Sequence, residues 1–80
     1  MKVAILMPVF SHGMESGRIA SWLKNVGDPV VRGEPLAEIE TDKATIDLEA
    51  KTAGTLIEIT RKQGEEVLVG NVIGYLETGP

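Results

Sequence analysis

The chain contains no cysteine. That excludes a disulfide framework, a thiolate metal site and a thiol nucleophile, and leaves the redox compartment unread. Aromatic residues are almost absent: Phe10, Trp22 and Tyr75 make up 4% of 80 residues, so the 42% that are apolar must build an aliphatic, compact core. This length suits one small domain, near the lower size at which a single core holds. Basic residues are in deficit, with eight Lys and Arg against twelve Asp and Glu and a net charge of −4. Nucleic acid and anionic membrane are therefore not expected as partners. No apolar run approaches the roughly 20 residues that span a bilayer. The opening MKVAILMPVF has one lysine, no small-residue cleavage pattern and Pro8 within it, so it reads as a strand rather than a signal peptide. Helical periodicity is missing too. No window sustains apolar residues at i, i+3, i+4 and i+7, so helix is limited to a turn.

What is present is a repeat. Shifted by 37 positions, GRIASWLKNVGDPVVRGEPLAEIET (17–41) lies over GTLIEITRKQGEEVLVGNVIGYLET (54–78) without a gap. Gly17, Gly27, Val30, Gly33, Glu40 and Thr41 recur as Gly54, Gly64, Val67, Gly70, Glu77 and Thr78. A looser match sets KVAILM (2–7) over KATIDL (43–48). Each half reads as short strands punctuated by Gly and Pro, the pattern of an all-β sandwich or barrel. Strands are expected near 2–7, 18–24, 29–32, 36–41, 44–49, 55–61, 66–69 and 72–77. Asn25-Val26-Gly27-Asp28 and Lys62-Gln63-Gly64-Glu65 read as turns in which glycine supplies a positive φ. Ile5, Ile19, Ile39, Ile46, Leu48, Leu56, Val67, Ile73 and Leu76 are the expected core, with Met7, Met14 and Trp22 as packing residues.

One turn departs from this order. A two-residue turn at Asp42-Lys43 pairs Thr41 with Ala44, Ile39 with Ile46 and Ala37 with Leu48, all on one face. The other face then sets Glu40 across from Thr45 and Glu38 across from Asp47. A one-residue slip would mix the faces, so burial fixes the register and puts Lys43 on the tip, in water. Yet two-residue hairpins favour Asn-Gly or Asp-Gly, because both central residues prefer positive φ. A lysine there costs on the order of 1 kcal/mol if it adopts that φ; otherwise the turn must be of another type. Local rules broken at one place in a chain that otherwise obeys them point to a site. The second half has Gly79-Pro80 where the first has Asp42-Lys43, so the lysine has no counterpart in the repeat. A two-fold relating the halves would put Lys43 at one end and both termini at the other.

The segment EIETDKATIDLEA (38–50) closely resembles the lipoyl-attachment motif, and the likeness covers essentially the whole chain. GRIASWLKNVGDPVVRGEPLAEIETDKA is similar to lipoyl domains of the acyltransferase component of 2-oxoacid or acetoin dehydrogenase complexes. The resemblance implies a flattened barrel-sandwich of two four-stranded antiparallel sheets with a quasi-two-fold, spanning 1–78, with 79–80 beginning a linker. It implies lipoic acid in amide linkage to Lys43, with Glu40, Asp42, Ala44, Gly27 and Gly54 matching positions read by a ligase or partner. It further implies a carrier rather than a catalyst. The arm would be reductively acylated by a thiamine-diphosphate-dependent decarboxylase, pass its acyl group to an acyltransferase core, and be reoxidised by dihydrolipoamide dehydrogenase. A lipoate ligase or lipoyl transferase would load it. The isolated domain is expected to be a monomer, cytoplasmic in a bacterium or in the mitochondrial matrix of a eukaryote.

The 8–17 segment departs from the family pattern, and other carriers compete with that reading. PVFSHGMESG (8–17) stands where the family usually reads P-x-L-S-P-T-M-E-E-G, so His12 and Gly13 replace Pro-Thr and Phe10 replaces leucine. In the family this loop helps the decarboxylase choose its carrier, which leaves the partner open. His12, the sole histidine, has no evident second ligand and reads as a solvated loop residue. The rival is a biotin carrier of a carboxylase or decarboxylase. Biotin carriers usually have methionine on both sides of the lysine, where this chain has Asp42 and Ala44. Carriers of glycine or acetoin cleavage are further alternatives on the lipoyl side.

Overall fold

Glycines set where the chain turns. Gly13, Gly27, Gly33, Gly64 and Gly70 all adopt positive φ, between 80° and 101°, and no other residue type does so among the described residues. The computed structural model describes residues 1–79. Between the turns run eight strands: β1 (Lys2–Leu6), β2 (Ser16–Trp22), β3 (Pro29–Val30), β4 (Pro35–Glu40), β5 (Thr45–Glu49), β6 (Gly54–Ile59), β7 (Glu66–Leu68) and β8 (Val72–Glu77). No helix forms among the described residues. The strands make two four-stranded antiparallel sheets, ordered β1-β8-β6-β3 and β5-β4-β2-β7. Replacing β1, β2, β3 and β4 by β5, β6, β7 and β8, and the reverse, turns one order into the other, so the topology is two-fold. This is the expected barrel-sandwich of two four-stranded sheets, and it is open, since no ladder joins the sheets among the described residues.

Hydrogen bonds follow the same symmetry. The Gly27 N–H donates to Leu56 O at 2.7 Å and the Gly64 N–H to Ile19 O at 2.7 Å. The Leu56 N–H reaches Asp28 O at 3.0 Å, as the Ile19 N–H reaches Glu65 O at 2.9 Å. The looser repeat, however, is corrected. Met7 N–H donates to Asn71 O and Ala50 N–H to Glu34 O, each at 2.9 Å, which makes Met7 the equivalent of Ala50. The first strands of the halves thus correspond at a shift of 43, not 41. Both shifts keep the same side chains inward, because their difference is one strand period, and only the ladder separates them.

The core is aliphatic as composition requires, with Met7, Ile19, Leu36, Ile39, Leu56 and Ile73 its largest fully buried side chains. Of the expected core, Ile46 is a correction: it is only half-buried. It lies on β5, an edge strand with a neighbour on one side only. Leu36, Val30 and Ala50 join the core from positions not singled out. The half-buried Trp22 packs on the core and donates its indole N–H to Arg61 O at 2.8 Å. Strand β2 starts and ends two residues earlier than expected, and β3 stops at Val30, before the Val31–Glu34 corner closes. The expected linker start at 79–80 includes Pro80, outside the described residues.

Candidate functional site

Strands β4 and β5 carry the site. Their ladder pairs Ala37 with Leu48, Glu38 with Asp47, Ile39 with Ile46 and Glu40 with Thr45, the register that burial demanded. Ala37, Ile39 and Leu48 are buried, whereas Glu40, Thr45 and Asp47 face solvent. The Thr41 N–H closes the hairpin on Ala44 O at 2.8 Å, leaving Asp42 and Lys43 as the exposed tip. Lys43 has no ion-pair partner among the described residues.

The tip avoids the cost foreseen for it, since neither Asp42 nor Lys43 takes a positive φ. A side chain supplies what a glycine would otherwise allow. The Thr41 hydroxyl accepts the Lys43 N–H at 3.2 Å and the Ala44 N–H at 3.0 Å, and donates to Ala44 O at 2.8 Å. Ser and Thr hydroxyls that bond backbone two and three residues on are a known way to organise a turn. In the sequence Thr41 stands out only as the pairing partner of Ala44. The signal available was a threonine two residues before a turn lysine, with no glycine in the turn.

Not all of the sequence-derived residues gather at the tip. Asp42 and Ala44 flank Lys43 directly. Glu40 sits one pair below and meets Arg18 across the strand, with Nε to Oε1 at 3.5 Å. Both side chains are more than half exposed, so the contact orients Arg18 more than it stabilises the fold. Gly27 makes the β2–β3 turn, and its positive φ is reason enough for glycine. Gly54 lies against Glu77 and Thr78: a Cβ there would sit 2.5 Å from Glu77 O. Gly27 and Gly54 therefore shape the sandwich and do not touch the hairpin tip.

An open cleft of about 430 Å³ adjoins the tip, lined by Gly13, Met14, Ser16, Arg18, Thr41 and Asp42 among others. It places residues 13–17, the second half of the departing segment, beside the hairpin; Phe10 and His12 do not line it. Its walls are polar, with the Ser16 hydroxyl bonded to Glu66 at 2.7 Å. At the end of β1 away from the cleft, Met1 meets Glu77 and Thr78. The Met1 amine lies 2.5 Å from Glu77 Oε2, and the Thr78 N–H donates to Met1 O at 2.8 Å. From there β1 runs the length of the sheet to Met7, whose sulfur lies 3.0 Å from where a Gly17 Cβ would stand, at the edge of the cleft. Met1 and Thr78 thus lie at the opposite end of β1 from Met7 and the cleft.

The described residues thus form a two-sheet sandwich with an exposed lysine, in no ion pair among them, on one hairpin tip. Residues 3–76 match the biotin/lipoyl family model, described as "Biotin-requiring enzyme". The chain belongs to the biotin and lipoyl attachment family. Within that family its likeness in sequence includes dihydrolipoyllysine-residue acyltransferase components. It is 43% identical over 76 residues to the dihydrolipoyllysine-residue acetyltransferase component of the acetoin cleaving system of Bacillus subtilis, covering 95% of this chain and 19% of the relative. It is 47% identical over 77 residues to the acetyltransferase component of the pyruvate dehydrogenase complex of Rickettsia bellii, covering 95% and 18%. The chain therefore spans about a fifth of the length of these relatives. The solution structure of the lipoyl domain of the 2-oxoglutarate dehydrogenase complex from Azotobacter vinelandii superposes with a TM-score of 0.78 at 35% identity, covering 98% of this chain and 99% of that one.

Proposed function

We propose that this domain carries lipoic acid in amide linkage on Lys43 and shuttles acyl groups within a 2-oxoacid or acetoin dehydrogenase complex. The observation that carries the reading is the exposed, unpaired Lys43 on a hairpin tip whose register burial fixes. The fit is chemical. Amide formation needs a primary amine that can reach a ligase, and it removes one positive charge, taking the net charge from −4 by one unit to −5. An ammonium held in a buried ion pair would resist that loss; Lys43 is held in none. Lipoic acid supplies a redox-active dithiolane that takes up acyl groups and electrons. The chain's own residues present it: the β4–β5 ladder holds the tip, and Asp42 and Ala44 flank the amine.

The likeness to acyltransferase components supports a place beside a thiamine-diphosphate-dependent decarboxylase, an acyltransferase core and a dihydrolipoamide dehydrogenase. Tethering at the terminal end would leave Lys43 free to visit each of them. The test is intact mass after incubation with lipoate ligase, ATP and lipoate, alongside a thermal melt. The wild-type chain gains one lipoyl group and Lys43→Ala gains none. Exchanging Asp42 and Lys43 keeps composition, charge and turn length, so the pairs 39/46 and 37/48 should hold and stability should change by at most about 1 kcal/mol. The amine would leave from another turn position, and attachment demands near-attack geometry, so the exchanged chain should be modified poorly. Full modification of Lys43→Ala would end the assignment.

A further inference from the structure

A carrier lysine must be both exposed and aimed, and those demands conflict. Exposure removes the packing that would otherwise hold a side chain. A tip built on glycine would be freer still, because glycine populates more backbone conformations than any other residue. This hairpin has neither packing nor glycine at its tip, so its order must come from hydrogen bonds.

The geometry points to Thr41 as the positioning residue for Lys43, an inference that rests on the reading of Lys43 as the attachment site. In this turn neither the Lys43 N–H nor the Ala44 N–H finds a backbone acceptor among the described residues. Here the Thr41 hydroxyl receives both, Lys43 N–H at 3.2 Å and Ala44 N–H at 3.0 Å, while donating its own proton to Ala44 O at 2.8 Å. Three bonds to one oxygen span the whole tip. They fix the peptide on each side of the Lys43–Ala44 link, and with it the direction in which the Lys43 Cα–Cβ bond leaves the backbone. The ladder and the Thr41 N–H bond to Ala44 O hold the base of the hairpin; within the tip the hydroxyl supplies the restraint, because the Lys43 side chain makes no hydrogen bond or ion pair among the described residues.

The two-fold supplies a control within the same molecule. Thr78 is the equivalent of Thr41. Its N–H and its hydroxyl both donate to Met1 O, at 2.8 and 3.1 Å, as those of Thr41 donate to Ala44 O. The two threonines thus make the same closing bonds. They differ in one respect: Thr78 receives no amide, since the Met1 amine goes to Thr78 O and Glu77 instead. If threonine were present only to close a strand pair, substitution at either position would have the same consequences. If Thr41 aims Lys43, only the substitution at Thr41 affects attachment.

Valine keeps the branched shape of threonine and removes the hydroxyl; serine keeps the hydroxyl and removes the methyl. The experiment compares Thr41→Val, Thr41→Ser, Thr78→Val and Lys43→Ala with wild type. It reads initial lipoylation rates over a range of protein concentrations with ligase, ATP and lipoate, and hydrogen exchange at the Lys43 and Ala44 amides. Thr41→Val should lose about tenfold or more in kcat/KM, since small misplacements of reacting groups cost that much. Thr41→Ser should stay near wild type and Thr78→Val should match it. The Lys43 and Ala44 amides should be protected in wild type, Thr41→Ser and Thr78→Val, and released in Thr41→Val. A wild-type rate for Thr41→Val overturns the inference while leaving Lys43 as the site. So does an equal loss in Thr78→Val, which would trace the effect to general stability. Unprotected Lys43 and Ala44 amides in the wild-type chain overturn it whatever the variants do. A wild-type chain that takes no lipoate, or a Lys43→Ala chain that does, removes the attachment reading itself.

Discussion

Glycines in this chain answer two different physical demands. At Gly27 and Gly64, φ is 101° and 93° and the space a Cβ would occupy is open. Alanine there should cost only backbone strain, about 1 kcal/mol each. At Gly54, φ is ordinary but a Cβ would stand 2.5 Å from the backbone oxygen of Glu77, which cannot give way without breaking the β6–β8 ladder. Urea denaturation should therefore rank Gly54→Ala well below the other two, with a loss of about 3 kcal/mol. Equal losses at all three would contradict the distinction. The turn glycines were legible in the sequence, because a turn flanked by strands and repeated 37 positions later names its own backbone need. The approach at Gly54 was not legible: it exists only once β6 and β8 are paired. Thr41 was hidden for a similar reason. A hydroxyl that takes two amides leaves no trace in a hydrophobic pattern.

Turns show the same economy at the scale of elements. In the 62–65 turn the Glu65 carboxylate accepts the Lys62 N–H at 2.6 Å; in the 25–28 turn Asp28 accepts the Asn25 N–H at 2.8 Å. The Lys62 N–H, helped by the Arg61 guanidinium, holds the Glu65 carboxyl below its ordinary range. Glu34 is lowered too, first by the Lys24 ammonium at 2.8 Å and then by the Val31 N–H. A carboxylate whose folded pKa is depressed contributes stability above its unfolded pKa and loses it as pH falls through the folded value. The melting temperature should thus fall on acidification below about pH 4.3. Glu34→Gln and Glu65→Gln should lower it at neutral pH and shrink that acid-induced fall. A double variant that keeps the wild-type slope would show that other groups dominate. The β4–β5 register was readable beforehand, since a two-residue turn at Asp42-Lys43 and the parity of the apolar residues together admit one solution. The half-exposure of Ile46 was not, because a strand's place at a sheet edge is decided by pairing with distant segments. The shift between the first strands escaped for the opposite reason: 41 and 43 have the same parity.

The whole molecule is one pattern used twice and broken once. Ile19 and Leu56 occupy equivalent places, and both are fully buried. Replacing either by alanine should cost about 2–5 kcal/mol, by similar amounts, in a single cooperative transition, because the halves share one core. Two transitions, or a large inequality, would mean that the halves fold as separate units. The break in the pattern is the tip. Where the first half turns through Asp42 and Lys43 to Ala44, the second half brings Glu77 and Thr78 against Met1, so the tip lysine has no counterpart there. The most direct test of this account is peptide mapping of the chain produced with lipoate ligase and lipoate. Lipoyl should be found on Lys43 alone, with Lys2, Lys24, Lys51 and Lys62 unmodified. Lipoyl on any of those four, or biotin on Lys43 when both acids are offered with their ligases, would contradict it.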